Sequence, residues 1–454
     1  MKEDFLSQID ISEQIALEPD GAIEAPEKNG LMVRLRKILL SQKVHMQNLS
    51  ALVVFNFLAA GLFFVTQIKI ANVIGKESFG NLAYAIALGM YGQVVVRYGM
   101  DRTLVRDLIH YPERFAELVA GSLLLRGAIM ALVAAGLVVW KIVFDTAGMF
   151  LWGLMAVVVA YSLKSLDLQP VYDAWLKMGR HAVYNLIQRG LYFLLIWMII
   201  LWSPNNLSIA WIGFGLLGTE IFYLLLQQRW AFRRIDFGVI KAPLISVAAD
   251  LSKGNFWIWL ASMGVLSFGS LNQILLKHYC GAAELGGYAA SWQIASAVIL
   301  LLAQVGRIGN PATARATRPE TNRTPRIRFL LRYSGVMLLT AVPICIPLFF
   351  FPGFILKTIF KPEYVSGARI LRILSIYLLF VSLGAVASQY VVSSRMERTF
   401  FASIIVGGIL SITLCLVLIP RMAGLGAALS LLIAHSVSMG LYWMAVIQHV
   451  RKQR

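Results

Sequence analysis

The chain has 454 residues, of which 58% are hydrophobic and only 14% charged, with a mean hydropathy of +0.71. Soluble domains carry roughly 45–50% apolar and about 25% charged residues, so these figures exclude a soluble globular protein, a disordered chain and a disulfide-rich secreted scaffold. The net charge of +18 does not point to nucleic acid, because the basic residues flank apolar blocks and form no separate basic face with stacking aromatics.

Residues 1–30 hold Glu3, Asp4, Asp10, Glu13, Glu18, Asp20, Glu24 and Glu27 against Lys2 and Lys28. They contain no apolar core of signal-peptide length and read as a disordered acidic tail. A basic juxtamembrane segment follows at 31–48. Crossing a hydrocarbon layer about 30 Å thick takes about 20 apolar helical residues. Such stretches run near 49–68, 80–100, 116–140, 149–170, 183–202 and 207–227, then near 256–276, 285–306, 329–355, 370–392, 399–420 and 424–447. The sequence therefore predicts an all-α polytopic membrane protein of about twelve spans. They form an N-terminal six-helix lobe (49–227) and a C-terminal one (255–448) around a central cleft. A polar linker at 228–254 joins the lobes, and a basic tail at 449–454 ends the chain. Loops of a few residues leave no room for a soluble domain.

Basic flanks set the orientation. Arg34, Arg36, Lys37, Lys43, Arg102, Arg106, Arg114, Lys177, Arg180 and the clusters at 229–253, 307–328, 395–398 and 451–454 fall on one side. Only Lys69, Lys76, Lys141, Lys277, Lys357, Lys361, Arg369, Arg372 and Arg421 fall on the other. The positive-inside tendency then puts both termini in the cytoplasm, which demands an even number of spans.

The chain also repeats. Gln67, Ile68, Gly75 and Gly80 recur 206 positions later as Gln273, Ile274, Gly281 and Gly286. Lys177-Met178-Gly179-Arg180 and Gly190 recur 218 positions later as Arg395-Met396-Glu397-Arg398 and Gly408. Repeats with an even number of helices keep one orientation, so the lobes are related by an axis along the membrane normal, the architecture of a rocking transporter.

Ionisable groups inside a membrane are costly and mark function. Arg126 is the deepest, with Arg97, Lys164 and Arg189 nearer the cytoplasmic side, and these four are the candidate cationic cavity. Asp167 and Glu220 are the carboxylates available for coupling to H⁺ or Na⁺. Snorkelling is the competing reading for Arg97, Lys164 and Arg189, and mutual neutralisation for Lys164 with Asp167. Asn56, Gln67, Asn272, Gln273 and Gln293 are candidate polar lining, set against a helix-packing role. A positive, amide-rich cleft suits an anionic ligand with a sugar-like part, since guanidinium engages two phosphate oxygens at once. Cys280, Cys345 and Cys415 have no metal-ligand or disulfide spacing. No Gly-x-x-x-x-Gly-Lys-[Ser/Thr] loop exists, and Gly424-Leu425-Gly426 follows no strand, so no nucleotide or other cofactor is expected.

Ile70-Ala71-Asn72-Val73-Ile74-Gly75-Lys76-Glu77-Ser78-Phe79-Gly80, Tyr98-Gly99-Met100-Asp101-Arg102 and Lys177-Met178-Gly179-Arg180 resemble the first hairpin, the end of the second helix and the turn after the fourth in one family. This is the Wzx-type O-antigen or polysaccharide flippases of the multidrug/oligosaccharidyl-lipid/polysaccharide exporter superfamily. The layout is similar over about 49–447. The resemblance implies movement of an undecaprenyl-pyrophosphate-linked oligosaccharide across the inner membrane by alternating access, for O-antigen or exopolysaccharide synthesis. It also implies membrane lipids and polysaccharide polymerase machinery as partners, and no enzymatic activity. Related lipid II flippases carry arginines in the first helix and usually fourteen spans; here the first helix has Asn56 and Gln67. A multidrug or cation antiporter of the same fold is the alternative, although neither the first nor the seventh helix has a deep carboxylate. A membrane polymerase is a weaker alternative, since the longest outer loop, 356–369, lacks an acidic pair.

Overall fold

The computed structural model describes residues 28–143, 149–202, 207–267, 269–317, 323–394 and 396–452. Residues 1–27 of the expected acidic tail (1–30) and the last two residues of the basic tail lie outside them. Residues 1–50 and 51–454 form separate units; of the first, helical backbone from Lys28 onward is described, through the expected juxtamembrane segment. Every regular element among the described residues is helical.

In the larger unit, α1 (51–74) and α2 (76–97) are parts of one helical run broken at Gly75. There follow α3 (Met100–His110), α4 (Phe115–Val143), α5 (Met149–Leu163), α6 (Gln169–Ala174), α7 (Met178–Trp202) and α8 (Ile209–Phe232). The second half has α9 (Leu244–Ser267), α10 (Ser270–Cys280), α11 (Ala282–Ala316), α12 (Arg323–Phe350), α13 (Pro352–Ile359) and α14 (Ala368–Ser393). It ends with α15 (397–422) and α16 (424–452), divided at Ala423. Nine helices among the described residues are long and apolar enough to cross a membrane, and two of these, Val54–Arg97 and Arg398–Arg451, have 44 and 54 residues. At 1.5 Å per residue each is more than twice as long as the membrane is thick, so each is a pair of crossings. With α9 and α10 as one interrupted crossing, the spans among the described residues number twelve.

The breaks have local causes. Gly75 (φ 81°, ψ 166°) and Gly281 (φ 85°, ψ 176°) share a conformation that side chains other than glycine do not tolerate. Pro420 withholds an amide three residues before Ala423, whose φ is 50°. The expected linker is shorter than its polarity suggested. Residues 228–232 finish α8 and 244–254 open α9, leaving 233–243 as the connector. Glu117 of α4 accepts the Lys241 and Ala242 amides at 3.2 and 3.3 Å. Gly121 is apposed so closely to Val247 that an added Cβ would lie 2.6 Å from its Cγ1. A charged connector thus becomes an anchored helix start.

Packing follows the faces of each helix. On α7, Leu194, Met198, Leu201 and Trp202 are exposed along one stripe, while Ala182, Gln188, Tyr192 and Ile196 are buried on the other. In a membrane, the first stripe meets lipid at no cost. One apolar core runs through both halves, joining Ile70, Phe79 and Leu82 to Leu276, Leu285 and Tyr364. A second, at the arginine-rich end, joins Leu104, Val119 and Tyr172 to Val247 and Leu251.

The end that carries the Gly75 and Gly281 turns is closed. An added Cβ on Gly80 would lie 1.9 Å from the Ala282 carbonyl oxygen, and one on Gly286 would lie 2.0 Å from that of Lys76. Tyr364 donates its hydroxyl to the Ala71 carbonyl at 2.8 Å. Asn72 donates to Ile359 O at 3.2 Å, and Lys76 Nζ to Ser366 Oγ at 2.8 Å.

Candidate functional site

Three of the predicted ionisable groups meet inside the first half. α5 tightens into a 3₁₀ turn at Lys164–Leu166, and extended backbone at Asp167 ends it before Pro170 opens α6. Lys164 therefore sits at a helix C-terminus, where the macrodipole favours a cation. Together with Tyr161, Arg189 of α7 and Glu220 of α8, it lines a pocket of about 10 Å³, room for about one water molecule. Lys164 and Arg189 are half-buried and form its mouth; Glu220, 3% exposed, is its base. Gln188 Nε2 donates to Glu220 Oε2 at 3.3 Å, while Glu220 Oε1 is buried without a hydrogen-bond partner among the described residues. The Arg189 guanidinium lies 4.1 Å from the centre of the Phe63 ring on α1, a cation–π contact that holds it over the pocket. Two cations against one carboxylate leave a net positive mouth.

The other candidates are placed differently. Arg126, expected in the cavity, is 2% exposed and spends its donors on structure. Its Nη1 reaches the Ser165 and Asp167 carbonyls at 2.9 and 3.1 Å, Nε the Ser122 carbonyl at 3.2 Å, and Nη2 Ser122 Oγ at 3.0 Å. It caps carbonyls that the end of α5 leaves unpaired, so its depth reflects a buried clamp rather than a ligand site. Arg97 pairs with Asp101 at 3.0 Å near the surface, with side chains 25% and 57% exposed. Asp167, a candidate for ion coupling with neutralisation of Lys164 as its competing reading, is 4% exposed. Its carboxylate accepts the Gln169 amide at 2.6 Å and the Tyr223 hydroxyl at 2.6 Å, with His181 Nε2 at 2.9 and 3.0 Å from its two oxygens.

The predicted polar lining is mixed. Asn272 is fully buried, donating to Ala427 O at 3.3 Å and accepting from Cys415 at 3.0 Å. Gln273, also buried, reaches back to Gly269 O at 3.5 Å. Asn272 thus joins two helices, while Gln273 bonds to the first turn of its own. Gln67, 3% exposed, is enclosed too. Asn56 is half-buried and accepts from Asn185 at 3.5 Å; Gln293 is half-buried. The sequence reading missed His181 and Tyr223. Its one signal was position, since His181 directly follows Lys177-Met178-Gly179-Arg180. Arg326, read as a topological charge, is 1% exposed and donates to the Ala316 carbonyl at 3.0 Å.

The family model described as "Polysaccharide biosynthesis protein" matches residues 45–317. An uncharacterized membrane protein of Methanocaldococcus jannaschii is 24% identical over 263 residues, which are 58% of this chain and 61% of that protein. The chain thus spans about three fifths of that relative's length. Among solved structures, the inward-facing conformation of a multidrug resistance MATE family transporter of the MOP superfamily superposes with a TM-score of 0.68. It covers 87% of this chain and 95% of that one, at 11% identity. The inward closed conformation of the lipid II flippase MurJ gives 0.64, covering 88% and 89%, at 12% identity. These two likenesses are of fold. With more than half of its length matched, and on the fold of MOP superfamily transporters, the chain belongs to the polysaccharide biosynthesis protein family.

Proposed function

We propose that this protein flips an undecaprenyl-pyrophosphate-linked oligosaccharide, an O-antigen or exopolysaccharide repeat unit, from the cytoplasmic to the outer leaflet of the inner membrane. Transport proceeds by alternating access, with both termini cytoplasmic. The observation that carries this reading is the net positive mouth made by Lys164 and Arg189 inside the bundle. The pyrophosphate would meet those cations at the mouth, because the pocket in its closed state holds little more than water. The closed Gly80–Ala282 end suits a state that loads from the arginine-rich, cytoplasmic side. A doubly negative head group leaving a negative interior gains about 5 kcal/mol at 100 mV, so the membrane potential suffices as a drive. No catalytic residue and no cofactor is part of this reading.

The test is transport of the lipid-linked oligosaccharide in proteoliposomes. Lys164→Gln and Arg189→Gln together should slow it at least about tenfold, a loss of roughly 1.4 kcal/mol, with the unfolding temperature kept. An unchanged rate overturns the reading.

One observation favours a second reading. The unpartnered Glu220 Oε1 is what a cation antiporter of the same fold would use. Glu220→Gln then abolishes cationic dye efflux, whereas the flippase keeps moving oligosaccharide.

A further inference from the structure

We infer that a second site, apart from Lys164 and Arg189, holds the head group of a phospholipid that carries both a phosphate and a primary ammonium. The site is a cavity of about 190 Å³ between α3, α4 and the first part of α9, at the arginine-rich end. Its walls are held in place. Thr103 on α3 donates its hydroxyl to Asn255 Oδ1 on α9 at 2.5 Å, and Asn255 Nδ2 donates to Leu251 O at 2.8 Å. The close apposition of Gly121 and Val247 fixes α4 against α9. Leu118, Val247, Leu251 and Asn255 are buried lining, whereas Arg106, Tyr111, Arg114 and Asp250 are exposed.

Two cations and two carboxylates line the cavity: Arg106 and Arg114, Asp107 and Asp250. Arg106 commits Nε and Nη2 to Asp107 Oδ1, both at 2.9 Å, and keeps Nη1. Arg114 commits Nε to Glu117 Oε2 at 3.3 Å and keeps both Nη groups. Asp250 has no hydrogen bond or ion pair among the described residues. The remaining guanidinium donors suit phosphate oxygens, and the vacant carboxylate suits an ammonium. A simple anion would be opposed by the two carboxylates, and a metal cation by the two guanidinium groups. A quaternary ammonium seeks a cage of aromatic faces, and Tyr111 is the single aromatic residue in the described lining. A primary ammonium needs only the carboxylate.

Size and depth point to a lipid. Pockets for whole small molecules run to about 300–1,000 Å³, so this one takes a head group. At 11 residues, α3 is too short to cross the membrane. The apolar stretches of α4 and α9 begin near 116 and 256, beside Arg114 and Asn255. Ile109, Tyr111, Phe256 and Trp257, which adjoin the lining in sequence, are exposed. Aromatic rings of this kind sit at head-group depth, with acyl chains beyond them. Because α4 belongs to the first half and α9 to the second, the bound head group touches both.

The test is native mass spectrometry of the purified full chain offered equal amounts of phosphatidylethanolamine, phosphatidylcholine and phosphatidylglycerol. Wild type should retain phosphatidylethanolamine over the other two by about three- to fivefold, the scale of one exposed ion pair. Asp250→Asn should lose that preference, and Asp250→Lys should turn it toward phosphatidylglycerol. Arg106→Gln with Arg114→Gln should weaken retention of all three, which share the phosphate. The changed side chains are exposed, so folding should survive each substitution. In a second arm, soluble glycerophosphoethanolamine at equal concentration should leave the lipid bound; displacement overturns the lipid and assigns the site to a water-soluble phosphodiester. Equal retention of the three lipids by wild type, or an unchanged preference in both Asp250 variants, overturns the proposal. Neither readout involves oligosaccharide transport, so the flippase reading is tested separately.

Discussion

Gly80 and Gly286, 206 positions apart, face each other's hairpin at the closed end. Gly80 lies against the Ala282 carbonyl and Gly286 against that of Lys76, itself 206 positions before Ala282. The contact is a pair of like interactions made by two like turns, Gly75 and Gly281, with matching backbone angles. Gly80→Ala or Gly286→Ala drives a methyl into backbone that has no side chain to yield. Either should destabilise this closed state by about 1–3 kcal/mol and raise labelling of a cysteine placed at Ser366, in a background without Cys280. Unchanged labelling would mean that the hairpins do not form the seal.

Tyr364→Phe removes the hydroxyl that the buried Ala71 carbonyl accepts. A buried acceptor left unpaired costs about 1–3 kcal/mol. Hydrogen exchange should quicken around Gly75–Gly80 and stay unaltered at the arginine-rich end.

Arg126→Met leaves the Ser165 and Asp167 carbonyls without their donor. The expected loss is roughly 2–5 kcal/mol of stability, read as a lower unfolding temperature. The fraction that remains folded should bind pyrophosphate within about threefold of wild type. A tenfold loss of affinity at undiminished stability would return Arg126 to the ligand site.

Glu220→Gln keeps the amide partner at Gln188 and removes one negative charge from behind Lys164 and Arg189. Pyrophosphate affinity should rise, by up to about tenfold for about 1.4 kcal/mol, and the gain should shrink in high salt. Weaker binding instead would show that the carboxylate helps to hold the ligand.

The twelve crossings were legible because the bilayer imposes a length that hydropathy records directly, and the paired glycines were legible because a forbidden conformation admits one residue type. The cationic set was legible only as a set. Counting residues gave the depth of Arg126 but not the face on which it lies, and that face meets the carbonyl end of α5. Lys164 and Arg189 do share a pocket with Glu220, a meeting that requires α5, α7 and α8 to be brought together and that no local spacing encodes. Asn272 and Gln273 look like lining from composition, yet their partners, Ala427 O and Gly269 O, are backbone atoms that a sequence does not display. His181 has neither a repeat partner nor a pattern around it, so only the fold joins it to Asp167 and Tyr223.

At its tightest points the Gly80–Gly286 crossing is peptide against peptide. Neither screening by electrolyte nor titration of a side chain can weaken a van der Waals fit of that kind. Parting the hairpins must therefore come from leverage transmitted along rigid rods from the opposite, arginine-rich surface.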